Sequence, residues 1–261
     1  MTSSPSGPAT GPTRFIDHFL IPLNIVFILW YALFSLSLIV PVALVMLVRY
    51  RGWEAGRFQP GIRRFIQFYG RCVIRLSWPL LRISVENRSV AQGVEPCIYI
   101  LNHRSFMDVF FCGFLPGFQT VIAIKGWPFR LPVYNIFMRL AGYVNVEDND
   151  PRAVSDKVAR ILKSGACLLF FPEGHRTKTG RLLPMRKGAF RFAAENRVPI
   201  VPVALEGTEY LGGYKSRLFS PCRVRMRFFP PLMAEGQSFT AIRDLQRKVE
   251  NLYRRDVLGQ Q

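Results

Sequence analysis

Residues 19–48, FLIPLNIVFILWYALFSLSLIVPVALVMLV, run for 30 positions without a charged side chain. A membrane-spanning helix needs about 20 such residues. At about 1.5 Å per residue, a helix of this length reaches roughly 45 Å, beyond the roughly 30 Å hydrocarbon core. The segment is therefore expected to span with tilt, or to break near Pro41 and lie partly in the interface. It does not read as a cleaved signal peptide, because no basic region precedes it and the apolar stretch is too long. A buried core helix is the plainer alternative. Arg49, Arg51 and Arg57 follow directly. If the segment spans, that cluster places the remainder of the chain on the cytoplasmic side.

Residues 1–13, MTSSPSGPATGPT, have nothing to bury, and the stretch 1–18 is expected to be a disordered tail. Beyond the apolar segment, residues 57–84 read as a basic amphipathic helix centred on 61–81. Ile62, Phe65, Ile66, Tyr69, Val73, Leu76 and Leu80 fall on one stripe, with Arg63, Arg64, Arg71 and Arg75 opposite. Such a helix suits an anionic membrane surface. The alternative is an ordinary helix packed on a protein core.

The chain carries 35 Lys and Arg against 17 Asp and Glu, a net charge of +18. That surplus calls for an acidic partner: nucleic acid, anionic lipid or an acidic carrier molecule. No helix-turn-helix, zinc-finger or aromatic RNA-binding signature is present, so nucleic acid is not expected. The five cysteines form no CxxC pair, and they read as reduced thiols, with a nucleophilic role a remote alternative.

From about residue 90 to 261, short apolar runs alternate with helical stretches. Strands are expected at Cys97–Leu101, Thr120–Ile124, Tyr143–Val146, Cys167–Phe171, Ile200–Leu205 and Cys222–Phe229. Helices are expected near 107–115, 130–141, 152–164, 187–197 and 238–255. That alternation predicts one α/β domain, a mostly parallel sheet flanked by helices, preceded by N-terminal membrane-attachment helices.

His103 follows the first of these strands, in the segment LNHRSFMD. Sites in α/β sheets are built at the carboxyl ends of strands. Asp108 lies five residues on, about 140° away if both sat on one helix. With His103 in a loop and Asp108 in the first turn of the next helix, the carboxylate reaches the imidazole and makes it a general base for a hydroxyl. Taken alone the pair is weak, since a loop histidine beside a capping aspartate looks the same. The segment FFPEGHRTKTG, residues 170–180, also follows a strand and, with the next residue, gathers Glu173, Gly174, Arg176, Lys178 and Arg181 in one turn. Glycine there admits a close backbone approach, and Arg176 is suited to fork onto a phosphate. No nucleophile elbow, Walker loop, dinucleotide fingerprint or metal-ligand spacing accompanies them. Direct transfer without an acyl-enzyme intermediate fits this inventory.

Asn102-His103-Arg104-Ser105-Phe106-Met107-Asp108 resembles the NHxxxxD motif of the glycerolipid acyltransferases, the lysophosphatidic acid acyltransferase family. Phe171-Pro172-Glu173-Gly174 with Arg176 resembles that family's FPEGxR motif. Lys187-Gly188-Ala189-Phe190 and Val198-Pro199-Ile200-Val201-Pro202-Val203 resemble its last block. The resemblance spans about residues 95–210, with the motifs in order. It implies that His103 is the base and Asp108 its assistant. It implies that Asn102, Lys125, Glu173, Gly174 and Arg176 surround a phosphate-bearing lysolipid, 1-acyl-glycerol-3-phosphate first and another lysophospholipid or a lyso-aminolipid second. It implies an acyl-CoA or acyl-carrier-protein donor as co-substrate, with no further cofactor and no metal. One block departs. Where the family usually ends a segment on arginine, this chain has Gly142-Tyr143-Val144-Asn145-Val146-Glu147-Asp148, and Lys125, Arg139 or Arg152 would have to take that arginine's place. A lipid-ester hydrolase and a non-catalytic membrane scaffold are the competing functions; the scaffold has no need of the intact His/Asp and Glu/Arg sets.

Overall fold

The computed structural model describes residues 13–49, 55–78, 80–117, 119–216 and 218–257. The expected tail through residue 12, and Arg51, lie outside them. Helix α1 (Thr13–Arg49) opens the chain, so residues 13–18 belong to a helix rather than to a tail. It runs through Pro22 and Pro41 without ending, so the expected break near Pro41 is absent. Its segment Leu20–Val42, with mean hydropathy 2.4, is long and apolar enough to cross a membrane.

One stripe of α1 is nevertheless docked on the rest of the protein. Leu20 and Asn24 are buried. The Asn24 amide donates to the Phe219 carbonyl at 3.0 Å and accepts the Phe219 N–H at 2.7 Å. Phe27 packs edge-on against Phe219, and Tyr31 against Phe110. Ser35 reaches the Tyr69 hydroxyl at 2.7 Å. These positions recur at helical spacing on one side, while Ile25, Val26, Leu29, Leu33 and Leu36 on the other sides are exposed.

Helix α2 (Ala55–Leu76) is shorter than the expected 57–84. Pro79 discourages helix at the residue before it, and Leu81–Glu86 forms strand β1 instead. The helix is not laid bare for a membrane surface either. Ile62, Val73 and Ile74 are in the core, and Arg63 is buried, donating to the Ala141 carbonyl at 2.8 Å. Arg71 donates to the Gly113 carbonyl at 2.8 Å. A Cβ on Gly113 would lie 2.5 Å from the Arg71 nitrogen, so the two backbones meet only because that side chain is missing. Phe68, Leu76 and Trp78 remain exposed on this side of the molecule.

The remaining elements are β2 (Ile98–Leu101), β3 (Thr120–Ile124), α3 (Pro132–Ala141), β4 (Val144–Asn145), α4 (Pro151–Lys163), β5 (Cys167–Phe170), α5 (Gly188–Asn196), β6 (Ile200–Glu206), β7 (Cys222–Phe228) and α6 (Phe239–Val257). The seven strands form one sheet in the order β1-β7-β6-β2-β5-β3-β4. All neighbouring pairs are parallel except β6 and β7. The expected α/β fold with a mostly parallel sheet is therefore present, and β1 extends it ahead of residue 90. The residues of β2 and β5 are buried throughout, as expected of parallel strands covered on both faces. From α6, the buried Tyr253 hydroxyl accepts the Val203 N–H at 3.1 Å and hydrogen-bonds the Ile100 carbonyl, pinning the helix across β2 and β6. The helix expected near 107–115 is a 3₁₀ helix, Phe106–Phe114.

Candidate active site

His103 stands just beyond the carboxyl end of β2, at the centre of the sheet. Its Nδ1 lies 2.8 Å from Asp108 Oδ2. The same oxygen accepts the main-chain N–H groups of Arg104 and Ser105 at 2.6 and 2.8 Å. Asp108 owes this position to a capping box. Ser105 caps the 3₁₀ helix through its hydroxyl, which accepts the Met107 N–H, and the Asp108 carboxylate reaches back to the Ser105 N–H. Asp108 is fully buried, whereas the His103 side chain is 22% exposed. With Nδ1 facing the carboxylate, the neutral imidazole places its proton there and leaves Nε2 as the base.

The turn after β5 closes on His103 from the other side. Glu173 Oε1 accepts the His103 N–H at 2.7 Å, and the Thr177 N–H donates to the His103 carbonyl at 3.0 Å. The Phe171 ring lies 4.5 Å from the imidazole, centroid to centroid. Glu173 is buried, and its second oxygen accepts the Leu183 N–H at 2.9 Å. Burial pushes its carboxyl above the ordinary value, against the lowering effect of those two backbone N–H groups. Both oxygens are thus engaged by the main chain, and Glu173 ties this turn to the loop of His103. Gly174 has φ +70°, and a Cβ there would lie 2.7 Å from Arg186 Nε. Arg176 is exposed and makes no ion pair among the described residues, so its guanidinium is open to a ligand.

Asn102 is likewise bonded to the main chain. It is buried, donating to the Leu205 carbonyl at 2.8 Å and accepting the Leu205 N–H at 2.7 Å, which extends the β2–β6 pairing by one side chain. Lys125, at the end of β3, lies 2.9 Å from His175 Nε2 in the same turn as Arg176. It also faces Glu147 at 3.7 Å. Of the three cations considered as substitutes for the missing arginine, Lys125 touches the turn of Arg176. Arg139 is held on α3 by Asn135 at 2.6 Å, and Arg152 contributes its backbone N–H to the cap of α4. Glu147 also accepts the Gly126 N–H at 3.1 Å, and Asp148 accepts the Asp150 N–H at 3.3 Å.

The fold therefore unites His103, Asp108, Glu173, Lys125 and the turn of Arg176. The sequence reading missed Ser105, Phe171, Thr177 and Arg104. Ser105-x-x-Asp108 carries a readable capping signal. The Arg104–Glu209 pair, buried at 3.2 Å, joins residues 105 positions apart and leaves no local trace.

A family profile described as Acyltransferase matches residues 82–206. A chloroplastic 1-acyl-sn-glycerol-3-phosphate acyltransferase of Brassica napus is 36% identical over 151 residues, 56% of this chain and 44% of that one. The 1-acyl-sn-glycerol-3-phosphate acyltransferase of Cocos nucifera is 30% identical over 207 residues, 77% of this chain and 65% of its own length. This chain thus spans less than half of the Brassica protein and about two thirds of the coconut one. The crystal structure of the 1-acyl-sn-glycerophosphate acyltransferase PlsC of Thermotoga maritima superimposes with a TM-score of 0.73, covering 93% of this chain and 96% of that one at 22% identity. At that identity the match speaks for the fold. The profile's span includes the His103–Asp108 and Phe171–Arg176 segments, and the chain belongs to the glycerolipid acyltransferase family.

Proposed function

We propose that this chain is a membrane-bound O-acyltransferase that moves a fatty acyl group from a thioester donor to the free hydroxyl of 1-acyl-glycerol-3-phosphate. The observation that carries the reading is the His103–Asp108 contact at 2.8 Å, held by two main-chain N–H groups on the same carboxylate oxygen. In the reaction, His103 Nε2 removes the hydroxyl proton as the oxygen attacks the thioester carbon. The tetrahedral intermediate collapses with loss of the thiolate, which takes the proton back from the imidazolium. Asp108 stabilises that imidazolium without itself being protonated. Arg176 and Lys125 hold the acceptor phosphate, the arginine as a fork and the lysine as a point charge. The Brassica and coconut relatives, both named as 1-acyl-sn-glycerol-3-phosphate acyltransferases, support this acceptor.

Attachment to the membrane rests on α1. Its docked stripe keeps residues 20–35 beside the catalytic domain, and its other faces are apolar and exposed. A helix tied in this way inserts its free faces at the membrane interface and brings the domain with it. Phe68, Leu76 and Trp78 are apolar and exposed as well. The arginines after α1 favour a cytoplasmic catalytic domain.

The test is to incubate the purified chain with lysolipids and with both CoA and carrier-protein thioesters, and to identify the product by mass spectrometry. Phosphatidate formed by the wild type and lost in His103→Ala supports the reading. Free fatty acid released equally well without an acceptor would make the protein a hydrolase.

A further inference from the structure

Asn24 is a buried amide within the apolar segment Leu20–Val42 of α1, 2% exposed, whereas its neighbours Ile25 and Val26 are exposed. Its amide nitrogen donates to the Leu20 carbonyl at 2.7 Å as well as to the Phe219 carbonyl, and its oxygen takes the Phe219 N–H. Attachment to lipid does not call for such a residue. A polar side chain in an apolar segment costs free energy unless it is paired, and the exposed apolar faces of α1 serve a bilayer by themselves.

The clip leads to the catalytic loop by two routes. The first runs through the main chain. Phe219 pairs with Leu211 as an antiparallel bridge, and the Leu211 carbonyl accepts the hydroxyl proton of Ser105. With its one proton directed at Leu211, that hydroxyl turns its lone pairs to the Met107 N–H, the capping contact beside which the Ser105 N–H meets Asp108 Oδ2. The second route runs through rings. Phe219 stands edge-on to Phe27 of α1 at 5.1 Å and edge-on to Phe106, three residues after His103, at 5.7 Å. Arg104, between His103 and Ser105, is tied to the same region by its pair with Glu209 at 3.2 Å.

We propose that Asn24 is a positioning residue for the reaction: its clip on Phe219 sets, through Leu211 and Ser105, the loop that holds His103 against Asp108. Helix α1 is then a working part of the catalytic assembly as well as its tie to the membrane. The inference rests on the acyl-transfer reading above and assigns a role in turnover to a residue of the apolar helix. The physical reason lies in what replaces the clip when it is lost. Lipid tails offer no hydrogen bonds, so the Phe219 N–H and carbonyl, left without Asn24, are satisfied only by a shift of their own backbone. Leu211 moves with them, and the acceptor of the Ser105 hydroxyl moves with Leu211. A displacement of the base well below the length of a bond contact is enough to slow proton transfer.

The experiment uses Asn24→Leu, which removes both bonds to Phe219 and keeps the helix apolar, in the full chain with vesicles of phosphatidylcholine and phosphatidylglycerol. The variant should float with the vesicles as the wild type does. Its kcat should fall about tenfold while KM for lysophosphatidate and for the thioester stays within about twofold. Asn24→Gln, which carries the same amide on a longer arm, should recover part of the loss. Hydrogen exchange at the Arg104 and Ser105 N–H groups should quicken in Asn24→Leu, with exchange in β5 unchanged. Wild-type kcat in Asn24→Leu, or activity lost only in proportion to the protein that leaves the vesicles, overturns the assignment. If Asn24→Leu does not fold, Ser105→Ala cuts the same route at its other end. Because coupling is reciprocal, exchange at the Phe219 N–H should then quicken, and an unchanged rate there overturns the assignment. If the wild type transfers no acyl group at all, faster exchange at Arg104 and Ser105 in Asn24→Leu still supports the clip and isolates the failure in the functional reading.

Discussion

Glu173 accepts the main-chain N–H of His103 at 2.7 Å, so the turn after β5 holds the backbone of the loop after β2. Its other oxygen holds Leu183. Glu173→Gln offers an acceptor to only one of these donors and turns an amide N–H toward the other. A buried unsatisfied donor costs about 1–3 kcal/mol. The variant is expected to unfold at a lower temperature and to lose kcat, while KM for the lysolipid changes less than about threefold on the scale of that argument. Thermal unfolding and steady-state kinetics check this. A raised lysolipid KM at unchanged kcat would return Glu173 to the acceptor site.

His103→Ala removes the base and should lower kcat by about 10²–10⁴. Asp108→Asn should be milder. Two backbone N–H groups converge with His103 Nδ1 on Oδ2, and they select the amide oxygen for that position. The imidazole then keeps its tautomer and loses only the facing charge, at about 10–100-fold in kcat. The amide nitrogen falls where Oδ1 is buried without a partner, so the variant should also be less stable. Single-turnover rates and melting curves test the pair; equal loss in both variants would show that the charge matters as much as the base.

Arg176→Ala should act on the acceptor. Its exposed guanidinium, in the turn that also holds His175 beside Lys125, has no other assigned task. Loss of a bidentate phosphate contact costs about 1.5–3 kcal/mol, seen as a higher KM for lysophosphatidate. A higher KM for the thioester alone would reverse the two substrate sites.

Glu147→Gln should help the reaction slightly. Glu147 faces Lys125 at 3.7 Å across a partly exposed gap. Such pairs are worth about 0.2–1 kcal/mol, so removing the charge should lower the lysophosphatidate KM by no more than about fivefold. Asp148→Arg should change little, because Asp148 serves the Asp150 N–H. A several-fold gain from Asp148→Arg would indicate a less anionic natural acceptor.

Much of this protein is written in local patterns. The apolar run at 19–48 specifies an apolar helix because each residue's chemistry is enough to keep water and charge away. The runs at 98–101, 120–124 and 167–170 specify strands because parallel strands buried on both faces tolerate only apolar side chains. His103 and Asp108 could be paired across one loop, and the capping signal of Ser105 was present for the same reason. Tertiary structure decided what depends on distant partners. It set Asn24 against Phe219, 195 residues away, and so turned a free-standing apolar helix into a docked one. It buried Arg63 against the Ala141 carbonyl and drew the half-buried Arg71 to the Gly113 carbonyl, where periodicity alone set both opposite the apolar stripe. It drew residues 81–84 out of the expected helix into strand β1, which pairs Leu81 with Cys222 and Glu86 with Arg227. It gave Glu173 and Asn102 their main-chain partners, because hydrogen bonds are assigned by which donors lie within reach after folding, and a side chain's type fixes only what it is able to accept.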